Sequence, residues 1–234
     1  MTKSHNSPQE AWKQMVGEAA VQLVEDGMVL GLGSGTTAAY MLYALSRRIA
    51  EGLHIVGGVP TSDATQQLAR DLDIPLTTLD EHPELDLAID GADEIDAQLN
   101  LIKGGGGAML REKIVASAAR RFVVIGDITK LVTTLGTHMP LPVEVIPFGV
   151  TPVRKRIEAL GATVQMRRLG DQVFITDNGN VILDCTFASG IPDPITMEQR
   201  IRSIVGVVET GLFLHMEAQV IIGGPDGVKV VSAQ

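Results

Sequence analysis

The sequence is poor in cysteine, short of positive charge and without any stretch that reads as a membrane anchor. Each shortage excludes a class of function. Cys185 is the one cysteine in 234 residues, so neither an internal disulfide nor a cysteine-built zinc site can form. The residue reads as a small buried hydrophobe. The five histidines, His5, His54, His82, His138 and His215, are scattered, with no pair at zinc-ligand spacing. No G-x-S-x-G occurs, so there is no nucleophile elbow. Hydrolase and zinc-enzyme readings therefore have no support. Nineteen Lys and Arg against 28 Asp and Glu give a formal net charge of −9. A nucleic-acid-coating protein has the opposite, basic footprint, although a local site for a small anion stays open.

Met1 to Glu10 is polar and carries no signal peptide. Gly27 to Ser46 is uncharged and long enough to span a bilayer. Its centre, Gly31-Leu-Gly33-Ser34-Gly35-Thr36-Thr37, reads instead as a strand–loop–helix junction. A cytoplasmic protein with no membrane or nucleic-acid partner is expected. With 45% apolar and 20% charged residues, the chain can bury a full core and is not disordered.

Ser7-Pro8-Gln9-Glu10 predicts a capped helix start, and Gly27 a stop. Strands are expected at Met28–Leu32, His54–Val59, Leu76–Leu79, Leu85–Asp90 and Phe122–Ile125. Helices are expected after the glycine loop to about Arg48, from Ser62 or Asp63 to about Leu72, and from Gly107 to Arg120. This alternation predicts a doubly wound, Rossmann-like parallel sheet, an α/β fold. After about Leu135 the pattern changes. Pro140, Pro142 and Pro147 break up a short strand, and helices follow at Thr151–Leu160 and Pro194–Val205. Asp177-Asn178-Gly179-Asn180 between Val173–Thr176 and Val181–Asp184 signals a hairpin. The expected organisation is residues 1–135 plus 207–234 as the α/β domain and 136–206 as a smaller α+β domain, with the strand-rich tail returning to the first sheet.

Four motifs carry chemistry. The Gly31–Thr37 loop aims backbone N–H groups, a helix N-terminus and the hydroxyls of Ser34, Thr36 and Thr37 at an anion. It lacks the third glycine of the dinucleotide fingerprint, because Thr36 stands there. A phosphate cradle and a plain tight turn both remain open. Asp90-Gly91-Ala92-Asp93-Glu94-Ile95-Asp96 follows an apolar strand, where parallel sheets place their sites. It suits a divalent metal, or carboxylates handling polyol hydroxyl protons; Glu94 and Asp96 read as a solvated acidic loop. Lys103-Gly104-Gly105-Gly106-Gly107 lets backbone approach a ligand closely, with Lys103 on one side and a helix carrying Glu112 on the other. The plainer alternative for Glu112 and Lys113 is an exposed helical face. Asp127-Ile128-Thr129-Lys130 brings Lys130 to another strand end, as a second cation for an anion or as a surface lysine. A dinucleotide oxidoreductase and a non-catalytic sugar-phosphate sensor are the rival readings.

Taken in order, GLGSGTTA at Gly31, VPTSDAT at Val59, DGADEID at Asp90, KGGGGAMLREKIVA at Lys103 and PLPVEVIPF at Pro140 resemble ribose-5-phosphate isomerases of the A type. TDNGNVILD at Thr176, DPITMEQRI at Asp193 and PDGVKVV at Pro225 extend the resemblance from about residue 8 to 231. It implies an aldose–ketose isomerase without metal or cofactor, with a doubly wound α/β catalytic domain and a small α+β lid domain, acting on ribose 5-phosphate and ribulose 5-phosphate as a homodimer or homotetramer. It implies Glu112 as the base, Lys103 as the stabiliser of the enediolate, and Asp90 and Asp93 as ligands of the sugar hydroxyls that assist ring opening. Ser34, Gly35, Thr36, Thr37, Gly91, Ala92, Lys103, Gly104, Gly105, Gly106 and Lys130 complete the implied substrate-binding set. The departures are Thr36 for a usual serine, Leu110 for a common threonine and Val205 for a usual proline.

Overall fold

The computed structural model describes residues 7–216 and 218–231; His5 lies outside them. α1 (Pro8–Val21) starts with a reciprocal cap. The Ser7 hydroxyl accepts from the Glu10 amide at 3.3 Å, and Glu10 Oε2 accepts from the Ser7 amide at 3.0 Å. Together they satisfy N–H groups that a helix start leaves without partners. The chain then forms β1 (Val29–Leu32), α2 (Gly35–Ala50), β2 (Gly57–Pro60), α3 (Asp63–Asp71), β3 (Leu87–Gly91), β4 (Glu94–Ile95), β5 (Leu101–Ile102), α4 (Met109–Ala118) and β6 (Phe122–Asp127). β7 (Leu141–Val145), α5 (Val150–Glu158), β8 (Thr163–Met166), β9 (Arg168–Leu169), β10 (Gln172–Val173), β11 (Val181–Thr186) and α6 (Pro194–Arg202) follow. β12 (Val207–Thr210), β13 (Leu212–Phe213), β14 (Gln219–Gly224) and β15 (Gly227–Val231) complete the elements of the described residues.

The described residues within Met1–Gly91, Ile114–Lys130 and Glu217–Gln234 make one compact unit, and those within Ala92–Lys113 and Leu131–Met216 a second. The first holds a six-stranded sheet in the order β15-β14-β6-β3-β1-β2. All its pairings are parallel except that of β15 on β14. Leu30, Leu32, Leu87, Ile89, Val123 and Ile125 of the strands pack with Val16 and Ala20 of α1 and Met41, Leu42 and Leu45 of α2. β1 is buried at all four positions, and β3 and β6 are apolar up to Asp90 and Asp127 at their carboxyl ends, because helices cover the sheet. The chain leaves β1 for β2 on one side and returns to β3 on the other. The carboxyl ends of β1 and β3 therefore stand together, with Leu32 opposite Ile89, and the strand order reverses there.

The second unit holds an antiparallel sheet in the order β12-β7-β11-β8 and a small one in the order β13-β5-β4. Leu141, Val143, Val145, Leu183 and Cys185 pack with Val153 and Ile157 of α5 and Ile201 of α6.

Several expectations need correction. Leu76–Leu79 is no strand but a single bridge from Leu76 to Gly58, because Thr78 turns the chain by accepting from the Glu81 amide at 3.2 Å. β7 is unbroken: β12 pairs with it only from Val143 onward, so the amide missing at Pro142 lies beyond that ladder. The 177–180 turn closes the expected hairpin only at its tip, where the Thr176 amide donates to the Asn180 carbonyl at 2.9 Å, and its flanks do not extend into a two-stranded ladder. β11 spends both edges on β7 and β8, β10 pairs with β9, and only a bridge from Ile175 to Val181 remains. Of the tail, β14 and β15 return to the first sheet, whereas β12 and β13 join the sheets of the second unit.

Candidate active site

The end of β1 carries the glycine loop, and the end of β3 carries Asp90. Asp90 is buried, and its Oδ1 accepts from the Ser34 amide at 3.0 Å and the Gly91 amide at 2.7 Å. Gly33 lies against it so tightly that a Cβ there would collide with the carboxylate. The VPTSDAT segment holds the same loop from below. Thr65 Oγ1 donates to the Gly33 carbonyl at 3.1 Å and Thr61 Oγ1 to the Leu32 carbonyl at 3.1 Å. Ser34 is the N-cap of α2, and Gly35, with φ +87°, makes the turn into it. Thr36 is exposed and Thr37 buried in the first helical turn, whose N–H groups and positive dipole end favour an anion. Lys13 on α1 donates to Thr36 Oγ1 at 2.9 Å. Lys130 ends a 3-10 turn after β6; Asp127 holds that turn by accepting from the Thr129 amide at 2.9 Å.

In the second unit Lys103 and Glu112 meet. Lys103 Nζ stands 3.5 Å from Glu112 Oε2, with the side chains 3% and 8% exposed. Glu112 lies in the first turn of α4, and Lys103 directly follows β5. Between them, Arg167 donates to the carbonyls of Gly104 and Gly105 at 2.7 and 3.1 Å, and the Gly105 amide donates to Asp93 Oδ2 at 2.7 Å. A Cβ at Gly107 would collide with the Phe174 ring. The glycine run is therefore a clamped frame, with Gly105 and Gly106 exposed. A buried carboxylate beside a buried ammonium can take a proton from a carbon next to a carbonyl and neutralise the oxyanion that forms.

Two readings of the acidic motif and of α4 change. Glu94 is fully buried and accepts from the amides of Gly136, His138 and Met139 at 2.5, 2.6 and 2.7 Å. Asp96 is buried and accepts from the amides of Gln98 and Asn100. Neither belongs to a solvated loop; both hold backbone. Glu112 and Lys113 likewise do not form an exposed face. Lys113 Nζ donates to Glu209 Oε1 and the Thr210 carbonyl at 2.9 Å and to the Leu212 carbonyl at 2.7 Å. Burial pulls its ammonium below the usual lysine range, against the nearby Glu209 and Glu198 carboxylates, which raise it. Arg111, beside Glu112, reaches Asn178 Oδ1 at 3.0 Å and the Asp177 carbonyl at 2.9 Å. That turn is tied in place by buried Glu144, whose Oε1 accepts from Thr176, Asn178 and Asn180. Lys13 and Arg167 gave no sequence signal, and Arg111 and Glu144 lay in quoted motifs without a readable role, because each acts through a contact distant in the chain. Among the described residues, no three His, Cys, Asp or Glu side chains converge as a metal site.

The family model of ribose 5-phosphate isomerase A (phosphoriboisomerase A) matches residues 57–227. The chain belongs to the ribose 5-phosphate isomerase A family. The ribose-5-phosphate isomerase A of Roseiflexus sp. (strain RS-1) is 54% identical over 219 residues, which are 93% of this chain and 94% of that relative. That of Bacillus mycoides (strain KBAB4) is 49% identical, over 93% of this chain and 97% of its own. A solved D-ribose-5-phosphate isomerase in complex with phospho-erythronic acid has a TM-score of 0.93 at 40% identity, covering 97% of this chain and all of its own. In this ribose 5-phosphate isomerase A chain the departures have distinct settings. Thr36 keeps a hydroxyl and turns it to Lys13, Leu110 is half-buried, and Val205 is exposed.

Proposed function

We propose that the chain interconverts D-ribose 5-phosphate and D-ribulose 5-phosphate through an enediolate, in the non-oxidative pentose phosphate pathway, with Glu112 as the base. The observation that carries this reading is the buried Lys103–Glu112 pair at 3.5 Å in a chain of this family. The relative solved with phospho-erythronic acid supports a phosphorylated, hydroxyl-rich ligand. Glu112 removes the C2 proton of the open-chain aldose, which the C1 carbonyl makes acidic, and returns it at C1. The hydroxyl proton of O2 passes to O1, which leaves the ketone at C2. Lys103 neutralises the oxyanion in between. Asp90, held by the Ser34 and Gly91 amides, and Asp93, held by the Gly105 amide, take the sugar hydroxyls and assist ring opening, with Gly91 and Ala92 as backbone contacts. Ser34, Gly35, Thr36 and Thr37 bind the phosphate with Lys130, and Lys13 joins them on the strength of its bond to Thr36. Gly104, Gly105 and Gly106 line the substrate beside Lys103. Every step is a proton transfer, so no metal or redox cofactor is assigned a role.

Cytoplasmic residence fits the single cysteine, and no helix among the described residues is long and apolar enough to cross a membrane. A homodimer or homotetramer fits the apolar side chains of Ile146, Phe148 and Val205, which are 49%, 100% and 87% exposed and near enough for the Ile146 amide to donate to the Gly206 carbonyl. The test of the reaction is an isomerase assay on ribose 5-phosphate after exhaustive chelation. Full activity is expected; loss of activity restored by magnesium or manganese would move the Asp90–Asp96 loop to metal binding.

A further inference from the structure

Phe213 is 1% exposed and has a lysine ammonium near its ring twice over. Lys103 Nζ lies 5.4 Å and Lys113 Nζ 4.9 Å from the ring centroid, both within reach of the negative π-face. An aliphatic side chain would serve as well for filling space, but it offers a desolvated ammonium nothing. Two cations at one ring repel each other, and the charges around them divide accordingly. Glu112 faces Lys103, whereas Glu209 and Glu198 face Lys113, at 2.9 and 3.6 Å, with Arg202 3.7 Å from Glu209.

The backbone fixes the ring in that position. β13 pairs with β5 so that Phe213 stands opposite Leu101, and the Lys103 amide donates to the Gly211 carbonyl at 2.9 Å. A Cβ at Gly211 would collide with the Lys103 carbonyl. Lys113, one residue after Glu112, bonds the Thr210 and Leu212 carbonyls on either side of that glycine. The Thr210–Phe213 segment thus touches both Lys103 and the helical turn that carries Glu112.

We propose that Phe213 is a positioning residue for the isomerisation: its ring face holds the Lys103 ammonium within reach of Glu112, while Lys113 ties the ring-bearing segment to the first turns of α4. The proposal rests on the roles assigned above to Lys103 and Glu112. Loss of the ring face lets the ammonium move from where the oxyanion forms, so turnover falls while substrate affinity holds.

The test replaces Phe213 site-specifically by 4-fluoro-, 3,5-difluoro- and 3,4,5-trifluorophenylalanine, which keep the ring's shape and progressively weaken its negative face. The expected result is a stepwise fall in kcat with fluorine number, reaching roughly 3- to 10-fold across the series, with KM changed less than about 2-fold and an unchanged thermal midpoint. Phe213→Leu should lose at least as much kcat as the trifluoro variant. A flat kcat across the fluorine series overturns the proposal, because packing alone does not follow ring electrostatics. Lys103→Met, assayed alongside, separates the two levels. If it abolishes turnover while the series is flat, only the role of Phe213 fails. If it retains turnover, the assignment of Lys103 fails, and the proposal with it.

Discussion

Lys13 and Thr36 lie 23 positions apart in the chain, yet their side chains form one hydrogen bond at 2.9 Å. A lysine on an amphipathic helix reads as solvent-facing, and only the packing of α1 beside α2 turns it to the glycine loop after β1. On the proposed phosphate site, a charge-assisted hydrogen bond from Lys13 to the phosphate would contribute about 1.5–3 kcal/mol to binding. Lys13→Met should therefore raise KM for ribose 5-phosphate roughly 10-fold or more and leave kcat within about 3-fold. An unchanged KM would put the phosphate elsewhere. Glu94 and Asp96 teach the converse. Four carboxylates in seven residues look solvated, but these two are consumed by backbone amides of segments that no local pattern connects to them. Cys185 behaves as its sequence suggests, buried and aliphatic in character. Burial, with a smaller push from Asp184, raises its thiol to about 12. The unfolded thiol loses its proton near pH 9, so the folded state binds the proton more tightly. Its contribution is fully present below pH 9 and is lost as pH rises towards 12. Between pH 8 and pH 10 the wild type should lose about 1 kcal/mol more stability in denaturant titrations than Cys185→Ala does. Parallel losses in the two proteins would refute the burial-driven shift.

Elements were legible where they are long and periodic. The capped start of α1, the α2 and α3 helices and the strands β1, β3 and β6 all follow from apolar spacing and capping residues. β4, β5 and β13 have two residues each, too few for any period, yet Lys103 directly follows β5 and Phe213 lies in β13. The 177–180 turn was legible as a turn, but its partners were not, because strand pairing is decided by which edges neighbours leave open. Gly211 shows how closely these short pieces fit. Gly211→Ala would drive a methyl group into the Lys103 carbonyl and Pro142. Overpacking of this kind costs typically about 1–3 kcal/mol. A lowered denaturation midpoint with a loss of kcat is the expected pair of results; wild-type stability and turnover would mean that the segment yields freely.

For the whole molecule, the alternation of strand and helix was enough for the parallel sheet. The reversal of strand order at β1 was not legible, because sequence gives the succession of strands and not their neighbours. That reversal joins the glycine loop to Asp90 through the Ser34 amide. The Lys103–Glu112 pair needed less: the two residues flank one glycine run, and that proximity could be read directly. On the proposed reaction, Glu112 carries the proton between C2 and C1. The most direct test of this central claim is kcat, with solvent-deuterium incorporation at C1 and C2, in Glu112→Gln, which is nearly isosteric and cannot accept the proton. A positioned base contributes typically about 10²–10⁴-fold. Turnover should fall at least about 10²-fold, with KM changed less than about 5-fold, and deuterium exchange should fall in parallel. Retained exchange with retained kcat would contradict the claim and pass the role of base to Asp90 or Asp93.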